Sequence, residues 1–316
     1  MGASYWPEHG EERSSILHRA DIAAGAAVEE RKPFVLFKNE LLAKAVERVE
    51  LQNSIIRAIE SSGGPEAGDL GDQFTLYYQP KIFCDSFDGH TLHVAKIEAE
   101  ALIRWRHPEK GMIFPDKFIP LAEETGLILP LGKWLIYQCA RRLATWDAEG
   151  RKAVGISMNL SINLSARQFR SQDAADILAS ALAATGIAPE RLTVELTETS
   201  LFEDPDATSQ TLARFSELGV RISVDDFGTG YSSLSHLHRF PLNEIKIDRL
   251  FIESLVTNRQ DKIIVGSLIS IAKGLGLNTG IPCVRADGLL VSAAVHPHIG
   301  GIHVLDAALQ VDLLYA

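Results

Sequence analysis

R-I-S-V-D-D-F at 221–227, L-T-V-E-L-T-E at 192–198 and N-E-I-K-I-D-R at 243–249 decide the fold of this chain. Each reads as a short, apolar and β-branched strand, yet each carries charge within it or at its end: Asp225 and Asp226, Glu195, Lys246 and Asp248. H-V-A-K-I-E-A-E-A-L-I-R-W at 93–105 adds Glu100, and G-I-S-M-N-L-S-I-N-L-S at 155–165 adds Asn163. A strand buried on both faces holds a lone carboxylate only at great cost in desolvation. One polar residue at the end of strand after strand is the pattern a βα barrel shows on its catalytic face.

Between these strands lie helical patterns, at 115–146, 173–186, 204–219 and 259–276, several of them closing on glycine (Gly186, Gly219, Gly276). Sustained strand–helix alternation predicts an α/β fold with a parallel sheet, open or closed. The chain contains no G-x-G-x-x-G or G-x-x-x-x-G-K-[ST] phosphate loop to support the open nucleotide-binding sheet, so a closed TIM-like barrel is expected. Counting from F-T-L-Y-Y-Q-P-K-I at 74–82, six strands are recognisable where a complete barrel has about eight. After Thr279 the rhythm fails, and whether the tail completes the barrel with its last two strands stays open.

The 316 residues suffice for one large domain and a small one. Residues 39–61 carry Leu42, Ala45, Val49, Ile56 and Ile59 at helical spacing, predicting an amphipathic helix, and S-S-G-G-P-E-A-G-D-L-G-D at 61–72 reads as a flexible linker. No apolar run is long enough to span a bilayer, and the Met1 end, with Glu11, Glu12 and Arg13, has no signal-peptide core. A soluble, cytoplasmic protein is expected. The net charge of −10 argues against general nucleic-acid binding. Cys84, Cys139 and Cys283 lack metal-ligand spacing and read as buried or free thiols.

Four acids and an amide on one face (Glu100, Asn163, Glu195, Asp225, Asp226) form an oxygen-rich cage suited to Mg²⁺ or Mn²⁺. Where the 221–227 strand breaks into F-G-T-G, both Asp225 and Asp226 can turn to the mouth, and a carboxylate there can bridge two ions about 4 Å apart. Taken singly, any one acid reads as a helix cap or a surface charge. Lys246, between Ile245 and Ile247, either serves the reaction beside the metals or makes a structural ion pair. Arg104, on the same strand face as Glu100, either grips a substrate phosphate or balances the acids. Spacing alone leads to a metal-dependent barrel acting on a phosphate ester.

The residues go further. E-A-L-I-R-W-R-H-P at 100–108, N-L-S-A-R-Q-F at 163–169, E-L-T-E-T at 195–199, D-D-F-G-T-G-Y-S-S-L at 225–234 and K-I-D-R at 246–249 resemble, in order, the motifs of EAL domains, and Y-Y-Q-P at 77–80 resembles their opening strand. The resemblance implies a barrel that hydrolyses cyclic di-GMP to linear pGpG with two Mg²⁺ or Mn²⁺ ions. It implies Glu100, Asn163, Glu195 and Asp225 as metal ligands, Asp226 at the second ion, Lys246 at the nucleophilic water, and Arg104 and Gln79 on the dinucleotide. Glu198 would brace the loop 227–233, which in that family links a dimer contact to metal binding, so a homodimer through this domain is expected. Asn159 rivals Asn163, which is chosen because S-A-R-Q-F follows it.

Residues 6–21 resemble the last strand and helix of a GGDEF domain, without that domain's signature or body. A start within a preceding domain accounts for this, and no cyclase activity is expected. The expected organisation is a GGDEF-like remnant at 1–38, helix and linker at 39–72, the EAL domain at 73–279 and a divergent tail at 280–316. The family's A-E-G-V-E and Q-G-Y strands are absent from that tail, where Asp287 and Asp306 are candidate substitutes for the lost glutamate. Two functions stay open: a phosphodiesterase with its first-ion ligands intact, and a catalytically deficient module that binds cyclic di-GMP or a partner and signals through the helix at 39–61.

Overall fold

The computed structural model describes residues 1–60, 73–87, 92–149, 159–171, 173–229, 237–253, 258–282 and 292–295. The linker expected at 61–72, much of the loop after Phe227, and Asp287 and Asp306 lie outside these residues.

Two short strands, β1 (Gly2–Ala3) and β2 (Val35–Leu36), pair in parallel around helix α1 (Arg13–Glu29), and α2 follows at Asn39–Glu60. The strand expected within 6–21 is displaced: it lies at Gly2–Ala3, and residues 6–9 form a turn before α1. The expected stripe on α2 is also corrected. Leu51, Ile55, Ala58 and Ile59 are buried and join the barrel's core, while Val49 is 56% exposed. The buried residues of α2 all fall in its C-terminal half, so burial follows the packing there rather than the full apolar period.

The main sheet holds β3 (Phe74–Phe87), β4 (Leu92–His107), β5 (Gly111–Ile113), β6 (Asn159–Asn163), β7 (Leu192–Thr197), β8 (Arg221–Phe227), β9 (Glu244–Ile247), β10 (Asn278–Pro282) and β11 (Ser292–Val295). Its order is β3-β11-β10-β9-β8-β7-β6-β4-β5, and β3 also pairs with β4, which closes a ring and leaves β5 as a flap on β4. The ring is therefore not short of two strands. Both missing strands come from beyond Leu277: β10 pairs with β9 in parallel, and β11 pairs with β10 antiparallel and with β3 in parallel.

Strand direction departs from the all-parallel expectation. β4 and β6 to β10 run together, whereas β3 and β11 run the other way. Only residues 88–91 separate β3 from β4, too few for the dozen or so residues that a parallel crossover needs, so the pair forms an antiparallel hairpin.

Alternation along the strands divides the protein into two chemistries. Leu160, Ile162, Leu192, Val194, Leu196, Ile222, Val224 and Ile245 are buried in one cluster with Trp134, Leu135, Cys139 and Leu178 of the surrounding helices. The alternate positions Ser161, Thr193, Glu195, Ser223, Glu244 and Lys246 are buried too, but polar. The apolar core is thus a sleeve between ring and helices, and the inside of the ring is charged. Cys139 is a free buried thiol in that sleeve, as the sequence suggested.

Candidate metal centre

Each strand delivers its polar residue by a local device. β6 ends at Asn163, after which Ser165 caps the short 166–169 helix in a capping box with Gln168. β7 ends at Thr197, whose side chain caps the helix opened by Glu198. In β8 the pairing with β9 slips between Val224 and Phe227, and Asp226 takes a left-handed backbone, φ 53°. Asp225 and Asp226 therefore sit at a bulge, which lets neighbouring carboxylates escape strict alternation. Gly280 of β10 faces Lys246: a Cβ there would lie 3.0 Å from Lys246 Cγ and 2.8 Å from Glu244 Oε1, so the glycine leaves room for the lysine stem.

Glu100, Glu195 and Asp225 converge so that one oxygen from each lies within 4.8 Å of the others. Lys246 Nζ donates to all three, at 3.3 Å to Glu100, 2.9 Å to Glu195 and 2.9 Å to Asp225. Asn163 Nδ2 donates to Glu100 Oε1 at 2.8 Å. The rival Asn159 lies one layer deeper, donating to Glu98 Oε1 at 2.9 Å, with Arg221 nearby at 3.6 Å from the same oxygen. Glu195 has no exposed surface, and its Oε1 accepts from buried Lys81 of β3.

The charges perturb one another. Burial opposes ionisation of Glu195, but Lys246 and Lys81 outweigh it and hold its carboxyl below the usual range. Burial and the charge of Glu195 push Glu100 up. Burial alone would lower the Lys246 ammonium, yet the three carboxylates raise it well above its ordinary value. Asp226 is pushed up to about 6 by desolvation, by Asp225 and by Asp248 beside it.

Glu198 is buried, and its Oε2 accepts the Gly228 N–H at 2.7 Å, tying the helix after β7 to the loop after β8. Gln79 is half-buried and opposite Glu100 in the β3–β4 register. Arg104 is held between two rings, 5.8 Å from the Tyr77 centroid and 5.4 Å from that of Phe114, with Nη1 on the Ile103 carbonyl. Asp226 lies outside the three-carboxylate group and faces Asp248 instead. Sequence reasoning missed Lys81, although the signal was present: two residues past Gln79 on an extended strand, it shares that residue's face.

The donor set fits a hard divalent cation. It is all oxygen from the three carboxylates, with an amide alongside, and it already gathers around a positive charge. Fold and site together define a βα barrel with a metal-competent carboxylate mouth. Residues 68–287 match the EAL domain family, and the chain belongs to it.

Among curated proteins it is 35% identical over 278 residues to the bifunctional diguanylate cyclase/cyclic di-GMP phosphodiesterase MucR of Pseudomonas aeruginosa, covering 88% of this chain and 38% of that protein. It is 33% identical over 304 residues to the cyclic di-GMP phosphodiesterase PdeR of Escherichia coli, covering 95% of this chain and 42% of that protein. The chain therefore spans about two fifths of these relatives. Among solved structures, the PaMucR phosphodiesterase in complex with c-di-GMP superposes with a TM-score of 0.65 at 33% identity, covering 78% of this chain and 94% of that one. Among the described residues, no helix is long and apolar enough to cross a membrane.

Proposed function

We propose that this chain is a cyclic-di-GMP phosphodiesterase domain that opens the cyclic dinucleotide to linear pGpG with two Mg²⁺ or Mn²⁺ ions. The convergence of Glu100, Glu195 and Asp225 on one point of the barrel mouth carries the reading. The likeness to MucR and PdeR, both named for this activity, supports it. Glu100, Asn163, Glu195 and Asp225 would hold the first ion, and Asp226, with Asp225, the second. Such ions polarise a phosphate and make water a nucleophile near neutral pH.

The chain's own groups do the remaining work. Lys246 orients the attacking water and offsets the charge that grows on the phosphate. Arg104, held by Tyr77 and Phe114, and Gln79 grip the dinucleotide, and Glu198 anchors the loop that follows Asp225 and Asp226. The intact first-ion set favours turnover over a module that only binds.

We read the segment from residue 73 through β11, beyond the expected end at 279, as the catalytic domain, 39–72 as helix and linker, and 1–38 as descended from a GGDEF-like domain. The PdeR match, which covers 95% of the chain and so reaches well upstream of residue 68, supports a shared upstream segment. A cytoplasmic setting and a homodimer through the barrel belong to the same reading. The test is to incubate the protein with cyclic di-GMP and Mn²⁺ and follow pGpG by chromatography, with Asp225→Asn as control. Production of pGpG that the control lacks is expected; binding measured by calorimetry without product would make the chain a binder.

A further inference from the structure

Each mouth carboxylate gives one oxygen to Lys246 and the other to a second donor, Asn163 Nδ2 on Glu100 at 2.8 Å and the Asp226 N–H on Asp225 at 3.0 Å. Among the described residues, that second donor is a buried cation only at Glu195. Its Oε2 accepts from Lys246 at 2.9 Å, as Asp225 Oδ2 does, also at 2.9 Å. Its Oε1 accepts from Lys81, which arrives from β3, a strand that runs against the parallel ones. Lys81 is 3% exposed and Glu195 0%, so neither partner of that pair is free to turn to solvent. Among the described residues, Lys246 pairs with three carboxylates and Lys81 with Glu195. A cation entering the mouth competes with Lys246 for the oxygens it holds, but leaves Lys81 in place on the far oxygen of Glu195.

We infer that Lys81 is a positioning residue that restricts Glu195 to one metal-facing oxygen and thereby sets which divalent ion the mouth prefers. The inference rests on the reading of Glu195 as a metal ligand. Ca²⁺ takes six to eight oxygens at about 2.3–2.6 Å and accepts carboxylates through both oxygens, whereas Mg²⁺ demands six near-octahedral ligands at about 2.0–2.1 Å. A Glu195 with Oε1 already engaged offers the single oxygen that the smaller ions use, and withholds the second that Ca²⁺ exploits. Partners that orient a ligand from behind typically change metal affinity by about 10–100-fold when removed. Here the change should differ between ions, because what is released is a second coordinating oxygen.

The experiment measures Mg²⁺, Mn²⁺ and Ca²⁺ affinity by calorimetry on the full chain, with the ion-induced shift in melting temperature as a second readout, for wild type, Lys81→Met and Lys81→Arg. Lys81→Met should raise Ca²⁺ affinity relative to Mn²⁺ by about tenfold. Lys81→Arg, which keeps a charged donor on Oε1, should retain the wild-type ratio. Comparing two ions on one variant cancels any general loss of stability. Should Lys81→Met not fold, Lys81→Leu, which likewise carries no donor, makes the same comparison and must move the ratio in the same direction. An unchanged Ca²⁺ to Mn²⁺ ratio in a variant that still binds ions overturns the role of Lys81. A wild type that binds none of the three ions, or a Glu195→Gln variant that binds them as well as wild type does, overturns the ligand reading itself.

Discussion

The backbone N–H of Gly228 donates to Oε2 of Glu198 across 2.7 Å, although thirty residues separate them in sequence. Gly228 has φ 105°, and a Cβ there would lie 2.9 Å from the Phe251 ring, so the loop is held by a side chain below and admits no side chain of its own. A hydrogen bond to a charged acceptor contributes about 1.5–3 kcal/mol. Glu198→Ala should lose about that much stability, read from chemical unfolding, and more than tenfold in turnover as the loop after Asp225 and Asp226 loosens, roughly 1.4 kcal/mol of barrier per decade. Glu198→Gln retains an acceptor and should sit between. An alanine variant with wild-type turnover would show that the tie is only structural.

Divalent ions should stabilise the fold by mass action, about 2.7 kcal/mol at a hundredfold excess over Kd. Asp225 supplies one of the three converging oxygens, so Asp225→Asn should remove most of the rise in melting temperature with Mn²⁺. An undiminished rise in that variant places the ion elsewhere.

Lys246 is the shared cation of Glu100, Glu195 and Asp225. Removing one partner of a buried ion pair costs about 3–5 kcal/mol, because charge is left uncompensated. Lys246→Met should lose stability on that scale without metal, recover part of it in Mn²⁺, and show little turnover. Metal that destabilises this variant would argue against ion binding at the same carboxylates.

His107 gives a pH dependence away from the mouth. Its ring is buried, and Nδ1 accepts the N–H groups of Glu109 and Lys110, both at 3.1 Å. Burial lowers its pKa below the ordinary 6.5, and a protonated Nδ1 cannot accept either bond. The folded value lies below the unfolded one, so this contribution is complete above 6.5 and is lost as pH falls through the folded value. Between about pH 7.5 and 5, the wild type should lose more stability than His107→Asn, measured by urea unfolding. Parallel curves would remove His107 from the acid response.

The mouth was legible because alternation is strict: Glu98 with Glu100, Ser161 with Asn163, Ser223 with Asp225 and Glu244 with Lys246 repeat at a period of two against apolar neighbours. Ring closure was not legible. β10 reads N-T-G-I-P and β11 S-A-A-V, where glycine, proline and small residues stand in place of the apolar alternation that marks the other strands. The reversal of β3 lay in the length of its connection rather than in its own composition, and the buried face of α2 was chosen by the barrel it meets.

The two-sided strands have a consequence for how this protein can change. Leu160 and Ile162 face the sleeve while Ser161 between them faces the ring interior, so adhesion and chemistry are separated by the thickness of a single backbone. Substitutions on the outer side meet a close-packed neighbourhood that tolerates little change in volume. Those on the inner side meet charges whose balance is local. A lineage carrying this barrel can therefore rewrite what the mouth holds while leaving its means of cohesion intact, one alternate residue at a time.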